Sequence, residues 1–123
     1  VEEKNKKFRD EFKKRMYKFT LGLIEFIDNL PHDNVSRRLG DQLLRSGTSI
    51  IANFIEGQSA SSKKDFINYL TISLKSSNES KLWLVLLRDS KRAGTGLADK
   101  QLNELKEISN ILASSILKLK DKK

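Results

Sequence analysis

RSGTSIIANFIEG, residues 45–57, decides how the chain folds. Ile50, Ile51, Phe54 and Ile55 give it an apolar side at helical spacing, while Arg45, Ser49, Asn53 and Glu56 recur at steps of four, four and three. At about 100° per residue those four, together with Gln42, share an arc of roughly 80° on a helix. A third of the chain is charged, yet this arc holds no lysine. Three readings of it are open: a solvated face, a polar network closed against another helix or another subunit, and a nucleic-acid contact. The missing lysine favours the network, because a solvated face in so basic a chain is expected to carry one.

Outward from this stretch, the same helix extends over about residues 35–58. Val35, Leu39, Leu43, Ile50 and Phe54 form its spine, and Leu44, Ile51 and Ile55 widen the apolar side to about 160° of the circumference. A helix so apolar is expected to be largely buried. Before it, Phe8, Phe12, Met16, Phe19, Leu23, Phe26, Ile27 and Leu30 trace one helical face, placing a first helix over about 5–30. Pro31 ends that helix, and PHDN (31–34) reads as a turn with Asp33 or Asn34 as the next N-cap.

After residue 56, Gly57 is expected to stop the second helix, and Ser62 with Asp65 resembles a capping box for a third over about 63–91. The third helix carries large apolar residues at its ends, Phe66, Ile67 and Leu70, then LWLVLL at 82–87. Its middle is small and polar, with Ser73, Ser76, Ser77 and Ser80. RAGTG (92–96) interrupts it. Asp99 is expected to cap a fourth helix over about 98–119, where Leu102, Leu105, Ile108, Leu112, Ile116 and Leu119 keep the helical step. Four long helices with short connections predict an all-α, antiparallel up-and-down four-helix bundle, one domain over 1–123. A hairpin of helices two and three sets Arg45 opposite about 74–77, a turn from Glu79. This register predicts an Arg45–Glu79 pair, with serine hydroxyls satisfying Gln42 and Ser49. Loss of Arg45 or Glu56 is then expected to damage folding or assembly.

Catalytic constellations are scarce. The sole histidine, His32, stands in a turn beside Pro31, a poor place for a shielded general base. The sequence has no phosphate-binding P-loop, no dinucleotide fingerprint, no zinc-protease motif and no Glu-x-x-His pair for a di-metal bundle. The chain is therefore expected to be no enzyme and to need no cofactor, metal or small-molecule substrate. With no cysteine it has neither disulfides nor thiolate metal sites, which fits the cytoplasm. No apolar run approaches a bilayer span, and VEEKNKKF is unlike a signal peptide.

A net charge of +8 invites an anionic partner. The cations gather between Lys4 and Lys18, with Lys7, Lys13, Lys14 and Lys18 on the polar side of helix one, and at Arg37, Arg38, Lys63, Lys64, Arg88, Lys91 and Arg92. In an up-and-down bundle, residues 4–18, 63–64 and the start of helix four are expected at one end, with 37–38 and 88–92 at the other. These residues are the candidate contacts to RNA or DNA phosphates. A protein-interaction scaffold, its charge serving solubility, is the alternative. Membrane-surface binding through helix one ranks last, since the bundle core needs that helix's apolar side. Helix two leaves too little solvated surface for a lone bundle, so a homo-oligomer is expected.

DQLLRSGTSIIANFIEG (41–57) and SKKDFINYLTISLKSSNESKLWLVLLRD (62–89) also resemble the four-helix bundle family first described from intervening sequences inserted in bacterial 23S ribosomal RNA genes. The similarity covers about residues 38–89. Arg45, Ser49, Asn53, Glu56 and Gly57 fall on that family's R…S…N…EG signature, and Glu79 on the Glu of its second motif. Lys75, where many relatives carry a small residue, and Phe54, bulkier than usual, depart from the pattern. The resemblance implies a homopentamer of four-helix bundles. One branch, the accessory protein of diversity-generating retroelements, is basic and works with a reverse transcriptase and nucleic acid. For the branch encoded in ribosomal RNA genes no biochemical activity is established.

Overall fold

The computed structural model describes residues 2–121, in which four helices follow one another: α1 (Glu2–Asp28), α2 (Asn34–Gln58), α3 (Lys63–Asp89) and α4 (Thr95–Asp121). No strand occurs among the described residues. Asp33 is the N-cap of α2, its carboxylate accepting from the Ser36 N–H at 2.9 Å and the Ser36 hydroxyl at 2.7 Å. Ser62 caps α3, its hydroxyl accepting from the Asp65 N–H at 3.1 Å. Helix α3 closes with a Schellman turn: the Arg92 N–H reaches the Leu87 carbonyl at 2.9 Å and the Lys91 N–H reaches that of Arg88 at 3.0 Å.

Two expected boundaries differ. Asp99 does not cap α4, which has already begun at Thr95 with the Ala98 N–H donating to the Gly94 carbonyl at 3.0 Å; the Asp99 carboxylate accepts from Arg88 instead. Gly57 does not stop α2, which passes through it to Gln58 with no glycine at positive φ among the described residues. Its small size serves a close approach: a Cβ there would lie 3.0 Å from Tyr69 Cβ and 3.3 Å from Phe66 Cδ1.

Phe12, Met16, Phe19, Leu23 and Phe26 of α1 are buried, followed by Leu30 in the turn. They meet Leu43, Ile50 and Phe54 of α2, Leu70, Leu84 and Leu87 of α3, and Leu105, Ile108, Leu112 and Ile116 of α4 in one core. Each such side chain stabilises the fold by about 1.5–3 kcal/mol relative to exposure. Phe8, expected on the same face, is half exposed and stacks on Phe12 with ring centroids 6.2 Å apart.

The backbones of α2 and α3 approach most closely, because small side chains line their contact. Ser46, Ser73, Ser77 and Ser80 are all buried there. The Ser46 and Ser80 hydroxyls bond at 2.7 Å, those of Ser49 and Ser76 at 2.8 Å, and Ser73 donates to the Ile50 carbonyl at 2.7 Å. Ser77 bonds Ser109, extending the ladder of hydroxyls to α4. Between α1 and α2 the rule is ring and methyl against glycine. Leu23 lies over Gly47, Leu30 and Ile27 lie over Gly40, and Phe12 meets Phe54 edge-on at 5.3 Å.

Helix α2 is less buried than its apolar arc predicts. Val35, Leu44 and Ile55 are 40–48% exposed, because α1 and α3 cover two of its sides and nothing among the described residues covers the third. The ends are also arranged differently from expectation. An Arg92–Asp33 ion pair at 3.3 Å sets the α3–α4 turn against the α1–α2 turn. The start of α4 therefore lies beside that pair, away from residues 4–18, which face the α2–α3 turn. Among the described residues no helix is long and apolar enough to cross a membrane.

Candidate functional site

The lysine-free arc of α2 divides in two. Arg45 donates to Gln42 Oε1, at 3.0 Å from Nη2, and to Glu79, which also accepts from Trp83 Nε1 at 3.0 Å. The expected Arg45–Glu79 pair is present; Gln42, however, is met by Arg45 and not by a serine. Asn53 Nδ2 donates to the Ser49 carbonyl and hydroxyl, both at 2.9 Å, and Ser49 shares its hydroxyl with Ser76. The Glu56 carbonyl accepts from the Ser59 N–H at 3.1 Å, but its side chain is exposed and makes no hydrogen bond or ion pair among the described residues, so the expected damage from its loss has no partner within the chain behind it.

Exposure sets the energetics of this arc. The Arg45 and Glu79 side chains are 60% and 33% exposed, so within one chain their pair contributes about 0–1 kcal/mol, well below a buried pair. Among the described residues no buried side-chain nitrogen or oxygen lacks a partner. Trp83 is the third member of the Arg45–Glu79 cluster, although the sequence shows it only as part of an apolar run. Its position four residues after Glu79, on the same helix face, is the signal that could have found it.

The cationic residues fall into two unlike groups. At the end holding the α1–α2 and α3–α4 turns, Arg88 donates to Asp89 and Asp99, both at 2.9 Å, Arg92 pairs with Asp33, and Arg38 donates to Asn34 at 3.1 Å. Contact with Asp89 and Asp99 raises the Arg88 pKa, so its charge is fixed and already countered. Arg37 and Lys91 are exposed there. At the other end Lys7, Lys13, Lys14 and Lys18 of α1 are exposed, and none forms an ion pair among the described residues. Lys63 and Lys64 are exposed at the start of α3. Residues 3–18 hold eight Lys or Arg against three Asp or Glu, which makes this segment the main source of the chain's positive field. Arg15 is tied down, by two 2.8 Å bonds to Glu104 on α4. Lys6 and Arg9 escape a reading for charge clusters alone, although steps of three and four place them on one face with Lys13.

On the chemical side, no group of three or more His, Cys, Asp or Glu residues is placed to hold a metal among the described residues. His32 is exposed in the α1–α2 turn.

The family model described as 23S rRNA-intervening sequence protein matches residues 10–114. The chain belongs to that family. Its match runs from the first half of α1 to the last third of α4, well beyond the helix pair that carried the sequence resemblance. A solved structure agrees: a protein of unknown function from the S23 ribosomal protein family of Bacteroides thetaiotaomicron is 34% identical, with a TM-score of 0.80. The superposition covers 85% of this chain and 97% of the other. No curated protein matches.

Proposed function

We propose that this chain is a non-enzymatic, antiparallel up-and-down bundle that self-assembles and binds RNA or DNA through the phosphate backbone. The observation that carries the reading is the unpaired cationic surface of α1, where Lys7, Lys13, Lys14 and Lys18 are exposed with no acidic partner among the described residues. Such a surface attracts phosphates without reading bases. The arrangement of the ends, Phe12 against Phe54 and Arg92 against Asp33, is what supports the up-and-down reading. The cytoplasm is the compartment that suits a chain without cysteines.

Self-assembly is supported by the apolar seam between α1 and α2. Tyr17, Leu21 and Ile24 on α1 and Leu44 and Ile55 on α2 are 39–59% exposed, and Tyr17 shares a groove with Ile51 and Ile55. A second copy is the occupant we assign to it, and the family resemblance favours five copies. Light scattering on the 14.1 kDa chain tests this; a mass of one chain at micromolar concentration would end it. Binding to long RNA or duplex DNA at about 50 mM salt should weaken steeply as salt rises, with a log–log slope of about −0.9 per phosphate neutralised on duplex. An intact oligomer with no such binding would favour a protein-interaction scaffold or a partner of a reverse transcriptase.

A further inference from the structure

The first turns of α1 and the α2–α3 turn border an open cleft of about 630 Å³. Lys6, Arg9 and Lys13 line one wall, with Lys63 also at its edge, and Phe54 and Phe66 contribute the apolar part of the surface. Steps of three and four bring the three α1 cations onto one helix face, so their charges face a common space. None of the three forms an ion pair among the described residues, and Asp10 is the one acidic side chain lining the cleft. Like charges gathered about a concavity raise the local concentration of anions there.

The contrast with the opposite end is what gives the cleft its meaning. There Arg88 and Arg92 already face Asp89, Asp99 and Asp33, so an incoming phosphate would have to displace a carboxylate. At the cleft no carboxylate has to leave. Shape narrows the ligand further. The depression is open on its solvent side, and its volume of about 630 Å³ holds only a short stretch of one strand. A B-form duplex, whose major groove alone is about 12 Å wide, cannot descend into it. A single sugar–phosphate chain can.

We infer that this cleft seats the backbone of a single-stranded RNA or DNA segment, its phosphodiesters held by Lys6, Arg9 and Lys13. The inference rests on the nucleic-acid reading above and narrows it to one end of the bundle and one form of the polymer. Asp10 opposes the bound strand and so limits its affinity.

The test uses the full chain and fluorescein-labelled U12 and dT12, read by anisotropy at about 50 mM salt. The triple variant Lys6→Gln, Arg9→Gln, Lys13→Gln should raise Kd about tenfold or more and flatten the salt slope by about 2, at roughly 0.7 for each single-strand phosphate no longer neutralised. Lys75→Gln, Lys100→Gln, Lys106→Gln, exposed and outside the cleft, should change Kd less than about threefold. Asp10→Asn should tighten binding, a gain that a misfolded protein would not give. A 12-base-pair duplex should respond to the first triple variant less than the single strands do. If wild type binds but both triple variants weaken it equally, or Asp10→Asn fails to tighten it, or duplex and single strand respond alike, the cleft assignment falls while the broader reading stands. If the wild type, its assembly intact, binds neither single strand nor duplex, both fall together.

Discussion

Lys91 is the one described non-glycine residue in the left-handed region, at φ 62°, where it forms the C′ position of the Schellman turn after α3. A side chain at such an angle costs about 1 kcal/mol relative to glycine. Lys91→Gly should therefore stabilise the chain by about that much, raising the melting temperature by roughly 3–5 °C in a calorimetric scan. Gly47 shows the opposite constraint. A Cβ there would collide with Cδ2 of Leu23, a fully buried side chain with little room to turn aside. Gly47→Val should destabilise by about 1–3 kcal/mol in urea unfolding, through overpacking that exceeds any helix-propensity gain. The arc and the ladder separate at this scale too. Arg45→Ala should cost less than about 1 kcal/mol in the isolated chain. Ser77→Val, which strands the buried Ser109 hydroxyl, should cost about 1–3 kcal/mol.

At the scale of elements, Asp33 joins three of them: it ends the α1–α2 turn, caps α2 and receives Arg92 from the α3–α4 turn. The Ser36 N–H and hydroxyl, and then Arg92, hold its carboxyl at about 2, below the usual value of 3.8. Because the folded form binds the proton less readily than the unfolded chain, the linked stability is fully present above about pH 4 and is lost as pH falls through about 2. Asp33→Asn keeps an N-cap but removes the ionisation, so melting temperature should become less steep in that window than for wild type. The helices themselves were legible because apolar residues recur at threes and fours and because Asp33 and Ser62 are ordinary caps. The start of α4 was not legible. Gly94 and Gly96 read as breakers, yet with their surroundings open they simply join the first turn once the Schellman geometry at 87–92 has redirected the chain. Of the site, Arg45–Glu79 followed from hairpin register alone. The neutralisation of Arg88 and Arg92 did not, since it depends on acids up to 59 residues away in sequence.

At the scale of the whole molecule, charge and apolar surface share α1. Tyr17, Leu21 and Ile24 face the exposed seam while Lys7, Lys13 and Lys14 project from the same helix nearer its start. Tyr17→Lys with Leu44→Lys should split the proposed assembly without unfolding the bundle, seen as a fall in light-scattering mass at unchanged helical circular dichroism. Nucleic-acid affinity should fall with it, since linked copies bind one polymer with an avidity that separate chains lack.

The ladder of hydroxyls has a consequence for motion. Helices joined by methyls and rings alone can shear past one another by small steps at little loss, because apolar contact is non-directional. Hydroxyl pairs are directional. A shift of α2 along α3 would break the Ser46–Ser80 and Ser49–Ser76 hydroxyl pairs, and would take from the buried Ser73 hydroxyl its acceptor, the Ile50 carbonyl, at about 1–3 kcal/mol for Ser73. Directional bonds therefore tie α2 to α3, and Ser77–Ser109 ties α3 to α4. Helix α1 is held by rings, methyls and, among the described residues, an exposed Arg15–Glu104 ion pair, with fewer directional bonds to its neighbours. Amide hydrogen exchange should report this directly, with the α1 amides opening at lower free energy than those flanking the serines of α3. The helix that carries the unpaired lysines is also the one tied to the bundle by the fewest directional bonds.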